Sequence, residues 1–146
     1  MKRFLCLFIA VIMVMTMVPA VSFAAEVRTV YWDPTDGADT NNGLTEAAPV
    51  QSVEAAYAAL SGADEGKIIM LSTASFTETT YFPSCSIPVT ITSKTGSEGI
   101  KASKSIFLGG DTTLEKLTLT VAADSNTTYI SGEGHNLTIG SGITSK

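Results

Sequence analysis

The chain has 146 residues, 45% of them hydrophobic and 16% charged, with 14 acidic against 9 basic side chains and a formal charge of −5 at pH 7. That apolar content excludes a disordered tail, and the acidic balance excludes a protein that grips nucleic acid through its phosphates. The length allows one domain.

Lys2 and Arg3 lead into an apolar run over residues 5–18 whose one polar member is Thr16; Pro19 then breaks the run. Ser22 and Ala24 place small residues three before and one before a cut after Ala24. Basic, then apolar, then small is the order of a secretory signal peptide, so residues 1–24 are expected to be removed. Residues 5–25 are also 21 uncharged positions, long enough to span a bilayer, and an uncleaved anchor is the alternative. Cleavage leaves a chain of net charge −7 with Cys85 as its lone cysteine, so no disulfide within the chain can staple it. The expected location is extracellular or at a cell surface, with no membrane partner after cleavage and no nucleic acid.

Residues 29–33, Thr-Val-Tyr-Trp-Asp, alternate as a strand does, and one of Tyr31 and Trp32 must face inward. At most the other is available to stack on a sugar ring, and core packing of the cap is the favoured reading. A polar loop over residues 34–45 follows. Asp33, Asp36, Asp39 and Asn41 put four oxygen-bearing side chains within nine positions, a set that suits a hard cation such as Ca²⁺. The spacing is not that of an EF-hand, and turn residues that hydrogen-bond their own backbone explain the same composition. A helix is expected from Val50 or Ser52 to Leu60, with Val53, Ala56, Tyr57 and Leu60 forming one apolar stripe, Ser52 as N-cap and Ser61-Gly62 as stop.

Beyond the helix, short apolar-Thr-apolar triplets recur: Val89-Thr90-Ile91, Leu117-Thr118-Leu119 and Leu137-Thr138-Ile139. Their central threonines are 28 and 20 residues apart, and Ile69-Met70-Leu71 is a looser copy upstream. Such spacing between similar short strands marks a solenoid in which the chain returns to one place every turn. The flanking aliphatics of each triplet are expected to point inward and the central residue outward. Glycines between the triplets, among them Gly96, Gly99, Gly109 and Gly110, suit tight corners. An antiparallel β-sandwich makes similar short strands and is the competing architecture. In the solenoid the helix has a use, because it covers the apolar interior and open edge of the first turn.

The stretch Val30-Tyr31-Trp32-Asp33-Pro34, the loop Gly37-Ala38-Asp39-Thr40-Asn41-Asn42-Gly43-Leu44, Ala48-Pro49-Val50, the Ala-rich helix and Gly66-Lys67-Ile68-Ile69-Met70-Leu71 together resemble the opening of proteins of the pectate-lyase-like superfamily. Residues 109–115 and 134–140 are similar to the turns of large bacterial surface proteins of that kind. The resemblance implies an all-β fold, a right-handed parallel β-helix with an N-terminal amphipathic capping helix, divided as 1–24 signal peptide, 25–66 strand, loop and cap, and 67–146 β-helix turns. The Gly-Asp pair usual before the first turn is here the shifted Asp64-Glu65-Gly66-Lys67. Leaving the aliphatic pair after Gly134 wet would forfeit about 3–6 kcal/mol, so either further chain or a partner is expected to cover the last turn.

That superfamily hosts lyases, hydrolases and non-catalytic adhesins, so the resemblance fixes no activity. Its lyases pair a basic residue with acidic metal ligands on one face, whereas Lys94, Lys101, Lys104, Asp111, Glu115, Lys116, Asp124 and Glu133 form no repeated column in this sequence. His135, the one histidine, sits in an expected turn with no nucleophile linked to it by any motif. The expectation is a non-catalytic surface module for adhesion or carbohydrate contact, with polysaccharide or cell-surface glycans as partners. Thirty-three Ser and Thr after residue 24 supply its hydroxyl-rich exterior. The alternative is the N-terminal part of a polysaccharide lyase or hydrolase whose site lies beyond residue 146.

Overall fold

The computed structural model describes residues 24–121 and 128–146. The expected signal peptide therefore lies outside the described residues except for Ala24, as does Asp124. In chain order the elements are β1 (Val27–Trp32), α1 (Val53–Ala58), β2 (Glu65–Met70), β3 (Ala74–Phe76), β4 (Thr80–Tyr81), β5 (Val89–Ser93) and β6 (Gly99–Ala102). They continue as β7 (Ile106–Phe107), β8 (Thr112–Glu115), β9 (Thr118–Val121), β10 (Ile130–Ser131), β11 (Leu137–Ile139) and β12 (Thr144–Ser145).

The described residues are all-β apart from one short helix. Its strands form three sheets: sheet 1 in the order β1-β2-β5-β8-β11, sheet 2 in the order β12-β9-β6-β3 and sheet 3 in the order β10-β7-β4. From β2 onward the chain visits sheets 1, 2 and 3 in turn and then begins again. Every strand pairing among the described residues is parallel, whereas the sandwich needs antiparallel neighbours.

Register sets the core. Val30, Ile68, Ile91, Leu114 and Ile139 occupy one column of sheet 1. From Ile68 onward they recur at intervals of 23, 23 and 25 residues. The first four are buried, and Ile139, on the edge strand, is 55% exposed. Trp32 and Met70 pair in the next inward column. Ile100 from sheet 2 and Ile106 from sheet 3 complete the same apolar cluster.

Two expectations about the triplets are corrected by this register. Leu117-Thr118-Leu119 does not lie over Val89-Thr90-Ile91: Thr118 and Leu119 pair with Gly99 and Ile100 in sheet 2. The strand that does lie over Val89 and Ile91 is β8, through Thr112 and Leu114. In Ile69-Met70-Leu71 the faces are reversed, because Met70 is buried while Ile69 and Leu71 are half-buried. Strand alternation has a period of two, so a shift of one residue in the reading exchanges inside for outside.

The helix is shorter than expected and spans six residues. Val50 precedes it, forming a parallel bridge to Trp32 instead of a helical turn. The expected stripe holds, since Val53, Ala56, Tyr57 and Leu60 are all buried. Ser52 is the N-cap, accepting a 3.1 Å hydrogen bond from the Ala55 amide. Tyr57, Phe82, Trp32 and Phe76 make a chain of ring contacts that joins the helix to the sheets, with centroids 5.7–6.5 Å apart. Burial pushes the Tyr57 hydroxyl up to about 12.

Candidate functional site

Every second side chain of sheet 1 points away from the core. Thr29, Lys67, Thr90, Thr113 and Thr138 form one outward column. Tyr31, Ile69, Thr92 and Glu115 form the next. Adjacent strands are about 4.8 Å apart, so each column presents a regular row of groups. Of the two aromatics at the end of β1, Trp32 goes inward and donates its Nε1 hydrogen to Gln51 O at 2.9 Å, and Tyr31 faces the outer surface.

Beside the second column lies a shallow cleft of about 380 Å³, lined by Tyr31, Glu46, Lys67, Thr92, Lys94 and Lys116 among others. Lys94 pairs with Glu46, and that contact holds its ammonium above the usual lysine value. The cleft floor is pinned at the turn out of β8. Lys116 takes φ 51°, a left-handed conformation uncommon outside glycine. Ser93 Oγ donates to Lys116 O at 2.6 Å and accepts from the Gly96 amide at 2.8 Å, fixing that conformation from the strand next door. Three ammonium groups, two carboxylates, a threonine hydroxyl and an aromatic ring thus surround one hollow, a set able to hydrogen-bond sugar hydroxyls and carboxylates and to pack against a ring.

Three of the four residues expected to hold Ca²⁺ hydrogen-bond within their own region of the fold. Asp33 Oδ1 accepts from the amides of Thr35 and Asp36, each at 3.1 Å, and from Ser72 Oγ at 2.5 Å. Asp39 Oδ1 accepts from the Gln51 and Ser52 amides at 2.8 and 2.7 Å. Asn41 donates through Nδ2 to Pro49 O at 2.8 Å, and Asp36 is exposed. Among the described residues no group of three or more His, Cys, Asp or Glu is gathered to hold a metal ion. The hydrogen bonds of Asp33, Asp39 and Asn41 fold the loop.

His135 lies in the turn before β11, its Nδ1 3.8 Å from Asp111 Oδ1. Asp111 accepts from the Asn136 amide at 2.9 Å and from Asn136 Nδ2 at 3.1 Å, and these donors hold its carboxyl below the usual value. The group clamps successive strands of sheet 1 together. Lys101 and Lys104 are exposed and take no part in the cleft.

Sequence reasoning missed one aromatic group. Tyr81, Phe107 and Tyr129 meet on the outside of sheet 3: Tyr81 stacks on Phe107 with centroids 4.8 Å apart and planes 17° apart. Tyr129 meets Phe107 edge-on at 5.7 Å. The signal was their spacing, 26 and 22 residues, close to the intervals of sheet 1. Comparison with protein-family models, curated proteins and solved structures yields no match.

Proposed function

We propose that the chain is an extracellular, non-catalytic module, built as a right-handed parallel β-helix, that binds an acidic polysaccharide in the Tyr31 cleft. The cyclic order of strands through three parallel sheets supports the β-helix, and the strong bias of parallel crossovers supports its hand. The leader-like residues 1–24 support export. The observation that carries the binding role is the gathering of Lys67, Lys94 and Lys116 beside Tyr31 in a chain whose net charge is −5. Carboxylates of a uronate chain would meet Lys67 and Lys116, with Lys94 between them already paired with Glu46, and a sugar ring would pack on Tyr31.

The test is electrophoresis through gels containing polygalacturonate or alginate. The protein should be retarded, less so at high salt, and a Tyr31→Ala, Lys67→Ala, Lys116→Ala variant should run as in a blank gel. Unretarded migration of the unaltered chain ends the proposal. Release of unsaturated or new reducing ends would replace it with a catalytic reading.

A further inference from the structure

The eight aromatic residues after residue 24 divide into two groups and one singleton. Trp32, Tyr57, Phe76 and Phe82 pack on one another within the fold. Tyr31 lines the cleft on sheet 1. Tyr81, Phe107 and Tyr129 lie outside sheet 3, where Tyr81 is 68% and Tyr129 52% exposed. Single exposed aromatics need no explanation, but three touching ones form a contiguous surface patch of the kind that marks a binding site.

The fold does not require this patch. Ile106, beside Phe107 in β7, already fills the interior position and is fully buried. Tyr81 lies in β4, an edge strand of sheet 3, so one face of its ring meets Phe107 and no strand of that sheet covers the other. The residues of β4, β7 and β10, with Tyr129, include no charged side chain. The polar groups that share the outward register with Tyr81 and Phe107 are hydroxyls: Ser131 and the two tyrosine tips.

We infer that this patch is a second carbohydrate surface, for neutral sugar chains, separate from the Tyr31 cleft. An aromatic face is electron-rich and attracts the weakly positive C–H face of a sugar ring, and the surrounding hydroxyls bond to sugar hydroxyls. These strands carry no charge, and of the exposed charges two residues from their ends, Glu78 and Glu133 repel an acidic chain where Lys104 alone attracts one, which favours a neutral chain. Area argues against a second copy of this protein as the occupant. At about 200 Å² per aromatic side chain the three expose roughly 300 Å², well under the about 800 Å² per partner of a stable protein interface.

The experiment measures retardation of the full chain in gels containing hydroxyethylcellulose, xyloglucan or galactomannan. At least one should retard it, and a Tyr81→Ala, Tyr129→Ala variant should bind about tenfold more weakly or not at all. Tyr81→Phe should retain binding, since the ring and not its hydroxyl supplies the stacking face. Tyr31→Ala should leave neutral-glycan retardation unchanged, which separates this surface from the cleft. Melting temperatures of the variants within a few degrees of the unaltered chain exclude unfolding as the cause. No retardation by any neutral glycan, or equal retardation of the double-alanine variant, overturns the inference. So does a dimer in sedimentation equilibrium that the double-alanine variant abolishes, which would make the patch a self-association surface.

Discussion

The Ser72 hydroxyl donates a 2.5 Å hydrogen bond to Asp33 Oδ1, tying the turn after β2 to the loop after β1. Burial by itself would disfavour the Asp33 carboxylate, but the Ser72 hydroxyl and the Asp36 and Thr35 amides outweigh it and hold the carboxyl below its ordinary value of 3.8. A depressed folded value means stability that is fully present above the unfolded value and lost as pH falls through the folded one. Asp39 and Asp111 are held low by amide donors and act in the same direction. The melting temperature should therefore decline as pH is lowered through 4 to 3. Asp33→Asn should melt lower at pH 7 and show a shallower acid decline, and parallel curves for the two proteins would show that this carboxylate does not contribute.

Ile91 sits between Ile68 and Leu114 in the buried column, while its neighbour Thr90 sits between Lys67 and Thr113 on the outside. Ile91→Ala should lower stability by about 2–5 kcal/mol, because the emptied site is enclosed by stacked side chains and cannot collapse freely. Thr90→Ala should stay within about 0.5 kcal/mol. Urea unfolding of both variants checks this, and comparable losses would contradict the assigned faces.

The all-β class, the apolar stripe of the helix and the inward turn of one of Tyr31 and Trp32 were legible because each rests on a period visible within a few residues; that it is Trp32 came from the structure. The turn-to-turn register was not, and Thr112 is the reason. It fills the inward position of β8 over Val89, yet reads as polar, so β8 lacks the apolar-Thr-apolar signature. The structure tolerates it because the Thr112 hydroxyl donates to Gly110 O at 2.9 Å, so its own hydrogen is satisfied. With β8 disguised, Leu117-Thr118-Leu119 appeared to be the next copy, though it belongs to another sheet. The Tyr31 cleft was hidden for a related reason: Lys67, Lys94 and Lys116 are scattered in sequence and meet only through the register.

Gly99 faces the backbone of β9 at close range. A Cβ added there would lie 1.7 Å from Thr118 O, which is not the end of a flexible side chain and cannot swing aside. Gly99→Ala should therefore force β6 and β9 apart and cost about 3 kcal/mol or more, the upper range of overpacking. Thermal melts and soluble yield are the measurements. A variant as stable as the parent would mean that β6 and β9 are less tightly paired within sheet 2 than their register implies.

Ser52 ties the helix to the rest of the fold. A six-residue helix is too short to persist in water alone, so it depends on its buried stripe and its cap. The cap is itself held, since Asp39 Oδ1 accepts from the Gln51 and Ser52 amides. The Gln51 carbonyl in turn receives the Trp32 indole hydrogen. Ser52→Ala should cost about 1 kcal/mol and Ser52→Asp much less, because aspartate also accepts from an amide in the first turn. Asp39→Ala releases the same segment from the loop side. In that variant Gln51 is freer to move, so the Trp32 emission should shift to the red as water reaches the indole. An unchanged spectrum beside a lowered melting temperature would separate the cap from the tryptophan anchor and show that Trp32 is held by packing against Phe76 and Phe82 alone.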